Sequence, residues 1–244
     1  MKRVALVTGS TSGIGLAIAQ RLAQEGIIVA LHSKSSAEIG KVLRDKLPGS
    51  TYTQADLSNE FDAKRLIADV LQQHGQLDIL VNNAGVSQTI AHADLKAATS
   101  AIWQNLYAVN VIAPWVLIGE AEQALRSATQ RGSAGCIVNI SSHAGVRPKG
   151  ASIPYAVSKS ALNHMTKLLA VTLAPEVRVN AIAPGLVDTP MTQSWHVAQE
   201  LWRTQSPMKR AAQPDDIADL VMMVAMSSYL TGQVIIADGG LHLT

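Results

Sequence analysis

Tyr155 and Lys159 stand four residues apart in the segment SIPYAVSKS, residues 152–160. In a helix this spacing places both side chains on one face, one turn apart. A free phenol with a pKa of about 10 is a poor base at neutral pH, and an ammonium within about 4 to 6 Å lowers the pKa of a neighbouring acid by roughly 1 to 3 units. The pair therefore predicts proton transfer at a hydroxyl or carbonyl, although the same spacing is also common on solvated helices.

A glycine-rich turn, TGSTSGIG at residues 8–15, follows the first apolar run and precedes a helical pattern. Gly9 permits a sharp exit from a strand, Gly13 allows a phosphate to approach the backbone, and Gly15 allows close packing of helix and strand. The amino terminus of the helix offers free N–H groups and a positive dipole end to a pyrophosphate. The turn therefore predicts dinucleotide binding, and a purely structural turn is the alternative.

Composition and charge narrow the class of protein. The chain has 244 residues, of which 48% are hydrophobic and 16% charged, so a large buried core is expected and disorder is not. The formal net charge is +2 and no run of Lys or Arg exceeds two residues. This pattern argues against a nucleic acid or an anionic membrane as partner, and it favours a small molecule.

The cysteine and histidine residues predict no disulfide and no metal site. Cys136 is the only cysteine, which fits a reducing compartment and a role in core packing. The seven histidines are scattered without ligand spacing. The apolar stretch of the amino-terminal MKRVALVTGS is too short for a signal peptide, and no apolar run approaches the length expected of a bilayer span. We therefore expect a cytoplasmic protein.

Short apolar runs alternate with amphipathic segments along the whole chain. Seven strands are expected, beginning with VALVT at 4–8 and IIVAL at 27–31 and ending with VIIADGG at 234–240. Such alternation predicts an α/β fold, a doubly wound parallel sheet with helices on both faces. No linker or repeat interrupts residues 1–244, which predicts a single domain. Residues 186–210 are the least regular segment and are expected to cover a ligand.

The order of motifs resembles the short-chain dehydrogenase/reductase family, in its subfamily of about this length. The motifs are TGSTSGIG, Asp56 in QADLS, NNAG at 82–85, Asn110 in AVNV, NISS at 139–142, YAVSK at 155–159 and PGLVDTPM at 184–191. The resemblance covers nearly the whole chain and implies a Rossmann fold. It also implies hydride transfer between a nicotinamide cofactor and a ketone or secondary alcohol.

The resemblance implies four catalytic residues: Asn110, Ser142, Tyr155 and Lys159. Tyr155 would be the acid/base, Lys159 would also hold the nicotinamide ribose, and Ser142 would orient the carbonyl. Asn110 would anchor a water that passes protons to Lys159, or it would only bond nearby backbone. Ser141 is the rival of Ser142, with backbone satisfaction at a strand end as its alternative role.

The resemblance also implies a cofactor site. Asp56 would contact the adenine, Asn83 and Gly85 would line the adenosine ribose, and Thr189 would bond the carboxamide. For Asp56 and Thr189 a purely local role at a helix start is the alternative. The expected cofactor residues also include Ser33 and Lys34 at the end of the second strand. The full set is Gly9, Ser10, Thr11, Ser12, Gly13, Ile14, Gly15, Ser33, Lys34, Asp56, Leu57, Asn83, Ala84, Gly85, Tyr155, Lys159, Pro184, Gly185, Val187 and Thr189.

The end of the second strand bears on the choice of cofactor. NAD-preferring sites usually place an Asp or Glu roughly 20 residues after the glycine turn, but none occurs here before Glu38. Ser33, Lys34 and Ser35 instead offer a positive charge and two hydroxyls, which suit a 2′-phosphate. The segment therefore predicts NADP(H) over NAD(H), with a solvated loop lysine as the alternative. Ser12 stands where the family often has a second basic residue.

The sequence says less about the substrate and the oligomeric state than about the cofactor. By position, the substrate pocket is expected to include Ser87, Gln88, His143, Val146, Ile153, Met191, Trp195 and His196. The nearest overall likeness is to 3-oxoacyl-[acyl-carrier-protein] reductases, but we favour a free small or medium carbonyl compound over a carrier-bound chain. A non-catalytic NADP(H)-binding redox sensor is the alternative from another class. The family likeness, with Ala156, Ser160 and Ala161 on one helix, predicts a homo-oligomer, a tetramer.

Overall fold

A computed structural model describes residues 2–244, which form one seven-stranded parallel sheet with helices on both faces. The strand order is β3-β2-β1-β4-β5-β6-β7. The strands are β1 (Val4–Val7), β2 (Ile28–Ser33), β3 (Thr51–Gln54), β4 (Ile79–Asn82), β5 (Gly135–Ile140), β6 (Val177–Pro184) and β7 (Val234–Ala237). The strand order reverses between β1 and β4, and a ligand crevice is expected at the carboxyl ends of these strands.

Eight α-helices cover the sheet in the described part of the chain. They are α1 (Gly13–Gln24), α2 (Ala37–Lys46), α3 (Glu60–His74), α4 (Ser100–Tyr107), α5 (Ala113–Arg126), α6 (Ile153–Leu173), α7 (His196–Gln205) and α8 (Pro214–Met226). Residues of α1 and α8 pack with one face of the sheet, and those of α3, α5 and α6 pack with the other. The predicted α/β, doubly wound Rossmann fold is confirmed.

Local sequence signals account for several helix boundaries. Asn59 caps α3, its side chain accepting hydrogen bonds from the backbone N–H groups of Phe61 and Asp62. Gly75 ends the same helix with a φ of 68°, a left-handed conformation that glycine adopts without strain. Pro214 occupies the first turn of α8, where its missing N–H costs nothing.

The helical region after β4 is longer than the sequence pattern indicates, since that pattern predicts a helix that ends near Ile118. The helix continues through α5 to Arg126, and α4 joins α5 through a π-helical turn, Ala108–Ile112. An insertion of this kind does not disturb the apolar periodicity strongly enough to be read from sequence. Helix α7 was not predicted either, because residues 186–210 lack a regular apolar pattern.

The stretch Ser100–Arg131 corrects one sequence expectation. By length and composition alone, it contains a segment that is apolar enough to cross a membrane. In the fold, however, the apolar face of α5 packs against the sheet through residues such as Leu117, Ala121 and Leu125. The stretch is therefore accounted for as an outer-layer helix of the α/β fold.

Candidate active site

A cleft of about 1270 Å³ lies at the carboxyl ends of the strands. It extends from the glycine turn after β1, along the ends of β2 and β4, to the residues that follow β5 and β6. Predicted cofactor and catalytic residues therefore meet in one continuous space. This is the crevice that the strand order predicts, and its size suits a dinucleotide together with a small substrate.

The glycine turn is built as a phosphate cradle. A Cβ atom at Gly15 would lie 2.2 Å from Gly9 O and 2.4 Å from Asn83 Nδ2, so only glycine fits between the helix and the turn. Gly9 has a φ of 65°. The first N–H groups of α1 have no intrahelical partner and lie at the cleft. These features fit the pyrophosphate of a dinucleotide.

Asn83 and His32 hold this turn in place. Asn83 Nδ2 donates to Thr8 O at 2.8 Å and to Gly9 O at 3.2 Å. His32 Nδ1 accepts from Gly9 N–H at 3.1 Å, while its Nε2 lies 3.0 Å from Ala55 O. Burial lowers the pKa of His32 to about 4, so the ring is neutral at pH 7 and Nε2 carries its proton. No sequence signal identified His32.

Most of the expected cofactor residues line the cleft. Ser10 does not, because its side chain is buried and its hydroxyl donates to His32 O while accepting from His32 N–H. It supports the turn from behind. The expected residues that line the cleft are Gly9, Thr11, Ser12, Gly13, Ile14, Gly15, Ser33, Lys34, Asp56, Leu57, Asn83, Ala84, Gly85, Tyr155, Lys159, Pro184, Gly185, Val187 and Thr189.

Lys34 and Asp56 form an ion pair at the adenosine end of the cleft. Lys34 Nζ lies 2.8 Å from Asp56 Oδ2, and Asp56 Oδ1 accepts from the Ser58 hydroxyl at 2.7 Å. The hydrogen bonds from Lys34 and Ser58 lower the pKa of Asp56 to about 2. Asp56 does not cap α3, since Asn59 does so. The Ser33 hydroxyl is 2.8 Å from Tyr52 Oη, so it already has a protein partner.

Ser141 and Ser142 have different environments. The buried Ser141 hydroxyl donates to Lys159 O at 3.2 Å, which links the end of β5 to α6. Ser142 begins the short 3₁₀ turn His143–Gly145, and its Oγ accepts from Ala144 N–H at 3.1 Å. That bond leaves the Ser142 hydroxyl hydrogen free for another acceptor. Both residues line the cleft, but only Ser142 has a hydroxyl hydrogen that is not engaged by the protein backbone.

Helix α6 presents Tyr155 and Lys159 to the cleft. The side chain of Ser152 caps the helix by accepting from Tyr155 N–H. Lys159 Nζ lies 5.9 Å from the centroid of the Tyr155 ring and donates to Ile140 O at 2.9 Å. The two side chains therefore lie close together on one face of α6, as their spacing predicts.

The electrostatics of this pair differ from the expectation. Burial raises the pKa of Tyr155, and interaction with the Ser142 side chain opposes that rise. Burial also lowers the pKa of Lys159 to about 8. The protein alone thus does not lower the pKa of the phenol, because the effect of burying Tyr155 outweighs the hydrogen bond from Ser142.

Asn110 lies in the π-helical turn between α4 and α5. Its Oδ1 accepts from Val86 N–H at 3.0 Å, and its Nδ2 donates to Val86 O and to Ser158 Oγ, each at 3.0 Å. A Cβ atom at Gly85 would lie 3.3 Å from Asn110 Oδ1 and 3.4 Å from Lys159 Nζ. Asn110 itself does not line the cleft, but only the space beside Gly85 separates it from Lys159.

The segment after β6 covers the cleft. Thr189 lies over the glycine turn, where a Cβ atom at Gly13 would be 3.2 Å from Thr189 Cγ2. Helix α7 has no buried residue, yet Trp195 at its start and Trp202 within it both line the cleft. The seven-residue spacing of these tryptophans therefore reflects a cleft-facing surface and not a stripe packed on the core. Trp202 is also a cleft residue that sequence reasoning did not assign to the pocket.

Five of the expected substrate residues line the cleft: Ser87, His143, Met191, Trp195 and His196. Gln88, Val146 and Ile153 do not. Gln88 is exposed beside Ser87, and Val146 is 44% exposed beyond the 3₁₀ turn. Ile153 precedes Tyr155 by two residues, so the two side chains occupy different faces of α6.

The fold and this cleft define a dinucleotide-binding α/β protein of the oxidoreductase class. A family model described as "Enoyl-(Acyl carrier protein) reductase" matches residues 9–242. The chain belongs to the short-chain dehydrogenase/reductase family. It is 46% identical over 243 residues to "Granaticin polyketide synthase putative ketoacyl reductase 2" of Streptomyces violaceoruber, covering 98% of this chain and 96% of that protein.

Two solved structures illustrate the similarity in three dimensions. A 3-ketoacyl-(acyl-carrier-protein) reductase from Brucella melitensis, complexed with NADH, matches with a TM-score of 0.89 and 28% identity over 98% of each chain. The Pseudomonas aeruginosa RhlG/NADP active-site complex matches with a TM-score of 0.90 and 33% identity over 98% of this chain and 96% of that one. The protein is therefore an oxidoreductase that acts on a CH–OH group or the corresponding carbonyl, with a nicotinamide cofactor.

Proposed function

We propose that the protein is an NADP(H)-dependent oxidoreductase acting on a ketone or secondary alcohol, with Tyr155 as acid/base. The observation that carries the proposal is the single cleft that joins the glycine turn to Ser142, Tyr155 and Lys159. A redox sensor would need the glycine turn to bind the cofactor, but it would not need Ser142, Tyr155 and Lys159 beside it.

The cofactor would be held by the residues that line the cleft from the glycine turn to Thr189. NADPH, when bound, supplies the hydride. The glycine turn and the start of α1 suit the pyrophosphate, and Lys34 suits a 2′-phosphate because its side chain is 68% exposed and free to reorient from Asp56. No carboxylate stands at the end of β2 to bind the ribose of NAD, where Ser33 and Lys34 occur.

Ser142 and Tyr155 would act together on the substrate oxygen. The Ser142 hydroxyl would donate a hydrogen bond to the carbonyl oxygen, while Tyr155 would give its phenolic proton to the same atom as the alcohol forms. The raised pKa of Tyr155 keeps the phenol protonated at neutral pH, which suits a proton donor for ketone reduction.

Lys159 and Asn110 would support the proton transfer. Lys159 would bind the nicotinamide ribose and return a proton toward Tyr155, helped by a pKa of about 8 that makes it an effective donor near neutral pH. Asn110 Oδ1 would orient a water in the space beside Gly85, close to Lys159 Nζ.

For the substrate we propose a free small or medium carbonyl compound. Apolar and aromatic side chains from the covering segment, Met191, Trp195 and Trp202, line the cleft. Arg147 donates to Leu241 O at 2.9 Å and is engaged within the fold, which leaves Lys149 as the basic residue lining the cleft near it. An acidic carrier protein would favour a larger basic patch.

A 3-oxoacyl-[acyl-carrier-protein] reductase is the second candidate. The similarity to a polyketide-synthase ketoacyl reductase and to a 3-ketoacyl-(acyl-carrier-protein) reductase favours it. Comparison of kcat/KM for a 3-oxoacyl chain on a carrier protein with that for the same chain as a short thioester separates the two candidates.

We further propose a cytoplasmic homotetramer. Small residues on α6, Ala156, Ser160 and Ala161, permit close approach of a second helix. Light scattering at micromolar concentration tests the assembly, and a mass equal to one 25.8 kDa chain would contradict it.

Steady-state kinetics with a panel of ketones and secondary alcohols test the function. We expect oxidation of NADPH with ketones, and Tyr155→Phe should lower kcat to less than about a tenth while changing cofactor affinity only a few-fold. Tyr229→Phe is a matched control, because Tyr229 is 95% exposed. Tight NADPH binding with no turnover across the panel would support the sensor instead.

A further inference from the structure

The buried carboxylate of Asp238, after β7, connects the carboxyl-terminal residues to the 3₁₀ turn that follows β5. Asp238 Oδ2 lies 2.7 Å from His143 Nδ1 and accepts from His242 N–H at 2.8 Å. Asp238 Oδ1 lies 2.8 Å from His242 Nδ1 and accepts from Gly240 N–H at 3.1 Å. His143 directly follows Ser142, the residue proposed to orient the carbonyl.

These contacts fix the tautomer of His143. Burial opposes ionisation of Asp238, but hydrogen bonds from His242 and His143 outweigh it and hold the pKa of the carboxyl below its usual value. Burial lowers the pKa of His143, so its ring is neutral at pH 7. A carboxylate only accepts hydrogen bonds, and His143 Nδ1 must therefore carry the single ring proton. The other nitrogen, Nε2, is left as an acceptor.

The His143 ring lines the cleft. Its Nδ1 side is occupied by the buried Asp238, and Trp202 of α7 packs against the ring edge-on with centroids 5.9 Å apart. Among residues 2–244, Nε2 has no hydrogen-bond partner. Two contacts thus hold the ring of this cleft-lining residue, and its Nε2 is left without a protein partner.

We propose that His143 is a positioning residue whose Nε2 accepts a hydrogen bond from a hydroxyl group of the substrate. The inference rests on the proposed ketone reduction and names its substrate class: ketones that carry a hydroxyl, aliphatic or enolic, close to the reacting carbonyl. A hydroxyl donates to Nε2, whereas an ether or a second ketone at the same position offers no donor and leaves both acceptors unpaired.

Asp238 determines which nitrogen of His143 carries the ring proton. Without a carboxylate behind Nδ1, the ring proton could move to Nε2 and the cleft would present a donor. By keeping Nε2 of His143 as an acceptor, the carboxylate of Asp238 favours substrates that carry a hydrogen-bond donor. This acceptor lies on the residue next to Ser142, which would hold the carbonyl oxygen. His242 shares the same carboxylate but does not line the cleft, so it offers a matched comparison.

Kinetics with matched substrates test the selectivity. The α- and β-hydroxy derivatives of cyclohexanone are each compared with cyclohexanone itself. We expect wild-type kcat/KM to favour a hydroxy derivative by about 3- to 10-fold, mainly through KM. His143→Phe, which keeps a ring against Trp202, should reduce that ratio to about 1 while cyclohexanone is still reduced. His242→Phe should keep the ratio.

Nitrogen-15 NMR of the imidazoles reads the tautomer without turnover. The His143 signals are assigned by their loss in His143→Phe. We expect a neutral ring protonated at Nδ1, and an Nε2 shift on addition of a hydroxy derivative but not of cyclohexanone. A proton on Nε2, or equal substrate ratios in wild type and His143→Phe, would overturn the proposal. If the protein reduced no ketone, but NMR showed the proton on Nδ1 and an Nε2 shift with a hydroxy derivative, only the proposed function would be refuted.

Discussion

Lys159 Nζ donates a 2.9 Å hydrogen bond to Ile140 O, the last residue of the strand that leads to Ser142. This bond couples α6 to β5 and fixes the ammonium beneath the cleft. It also means that Lys159 is buried with one protein partner, and burial lowers its pKa to about 8.

The first prediction concerns the pH dependence of cofactor binding. The ammonium of Lys159 is lost as pH rises through about 8, and a neutral amine forms weaker hydrogen bonds to the ribose. We expect affinity for NADPH to fall about 3- to 10-fold between pH 7 and pH 9.5, measured by calorimetry. Tyr155→Phe should keep this dependence and Lys159→Arg should flatten it. A flat wild-type profile would contradict the assignment.

Gly85→Ala tests the space between Asn110 and Lys159. The added methyl group would stand 3.3 Å from Asn110 Oδ1 and 3.4 Å from Lys159 Nζ, which is tight but no severe clash. If a water occupies that space during proton transfer, kcat should fall about 10-fold or more, with the midpoint of thermal unfolding nearly unchanged.

The matched control for this variant is Gly119→Ala. A Cβ atom at Gly119, on the exposed face of α5, would meet no atom within 4 Å. That substitution should leave kcat unchanged and stabilise the helix by about 0.5 to 1 kcal/mol. Wild-type kcat in Gly85→Ala would argue against a proton path at this position.

The ion pair between Lys34 and Asp56 leads to a prediction about cofactor preference. We expect kcat/KM to be roughly 10- to 100-fold higher with NADPH than with NADH, because Lys34 offers a charge-assisted contact to the 2′-phosphate. Lys34→Ala should shrink this ratio. Equal efficiency with the two cofactors in wild type would show that Lys34 does not bind the phosphate.

Asp56→Asn sharpens the test of Lys34. Asp56 holds the ammonium at 2.8 Å and competes with the phosphate for it. Its loss should weaken binding of both cofactors through the adenine but raise the NADPH to NADH ratio, since Lys34 is released. Steady-state kinetics with both cofactors measure the ratio, and a lower ratio in Asp56→Asn would refute the competition.

The sequence predicted the parts of this molecule that depend on local patterns. Most of the strands were located because parallel strands buried on both faces read as apolar runs, such as VALV in β1, whereas the edge strand β3, TYTQ, lacks such a run. The glycine turn was recognised because its backbone conformation requires glycine. Tyr155 and Lys159 were paired because both lie on one helix, where spacing alone sets their proximity.

The rest depends on contacts between distant segments. His32 acts on Gly9 across 23 positions, and Asp238 acts on His143 across 95, so no local pattern reports either contact. The pKa of Tyr155 was expected to be lowered by Lys159, but burial of the phenol raises it. The degree of burial cannot be read from spacing.

The last prediction concerns acid stability and His32. The pKa of His32 is 6.5 in the unfolded chain and about 4 in the folded one, because its ring is buried. A folded-state pKa below the unfolded value gives stability that is complete above pH 6.5 and is lost as pH falls from 6.5 to about 4.

From these two values, the free energy of unfolding should fall by about 2 kcal/mol between pH 7.5 and pH 5. Urea unfolding at both pH values measures it. His32→Asn should lower stability at pH 7.5, since the contact with Gly9 is altered. The decrease in its free energy of unfolding between pH 7.5 and pH 5 should be smaller than in wild type. The decrease that remains would come from other groups, such as the buried His143. His164→Gln, on an exposed face of α6, should retain the wild-type slope. An unchanged slope in His32→Asn would show that protonation of His32 does not limit acid stability.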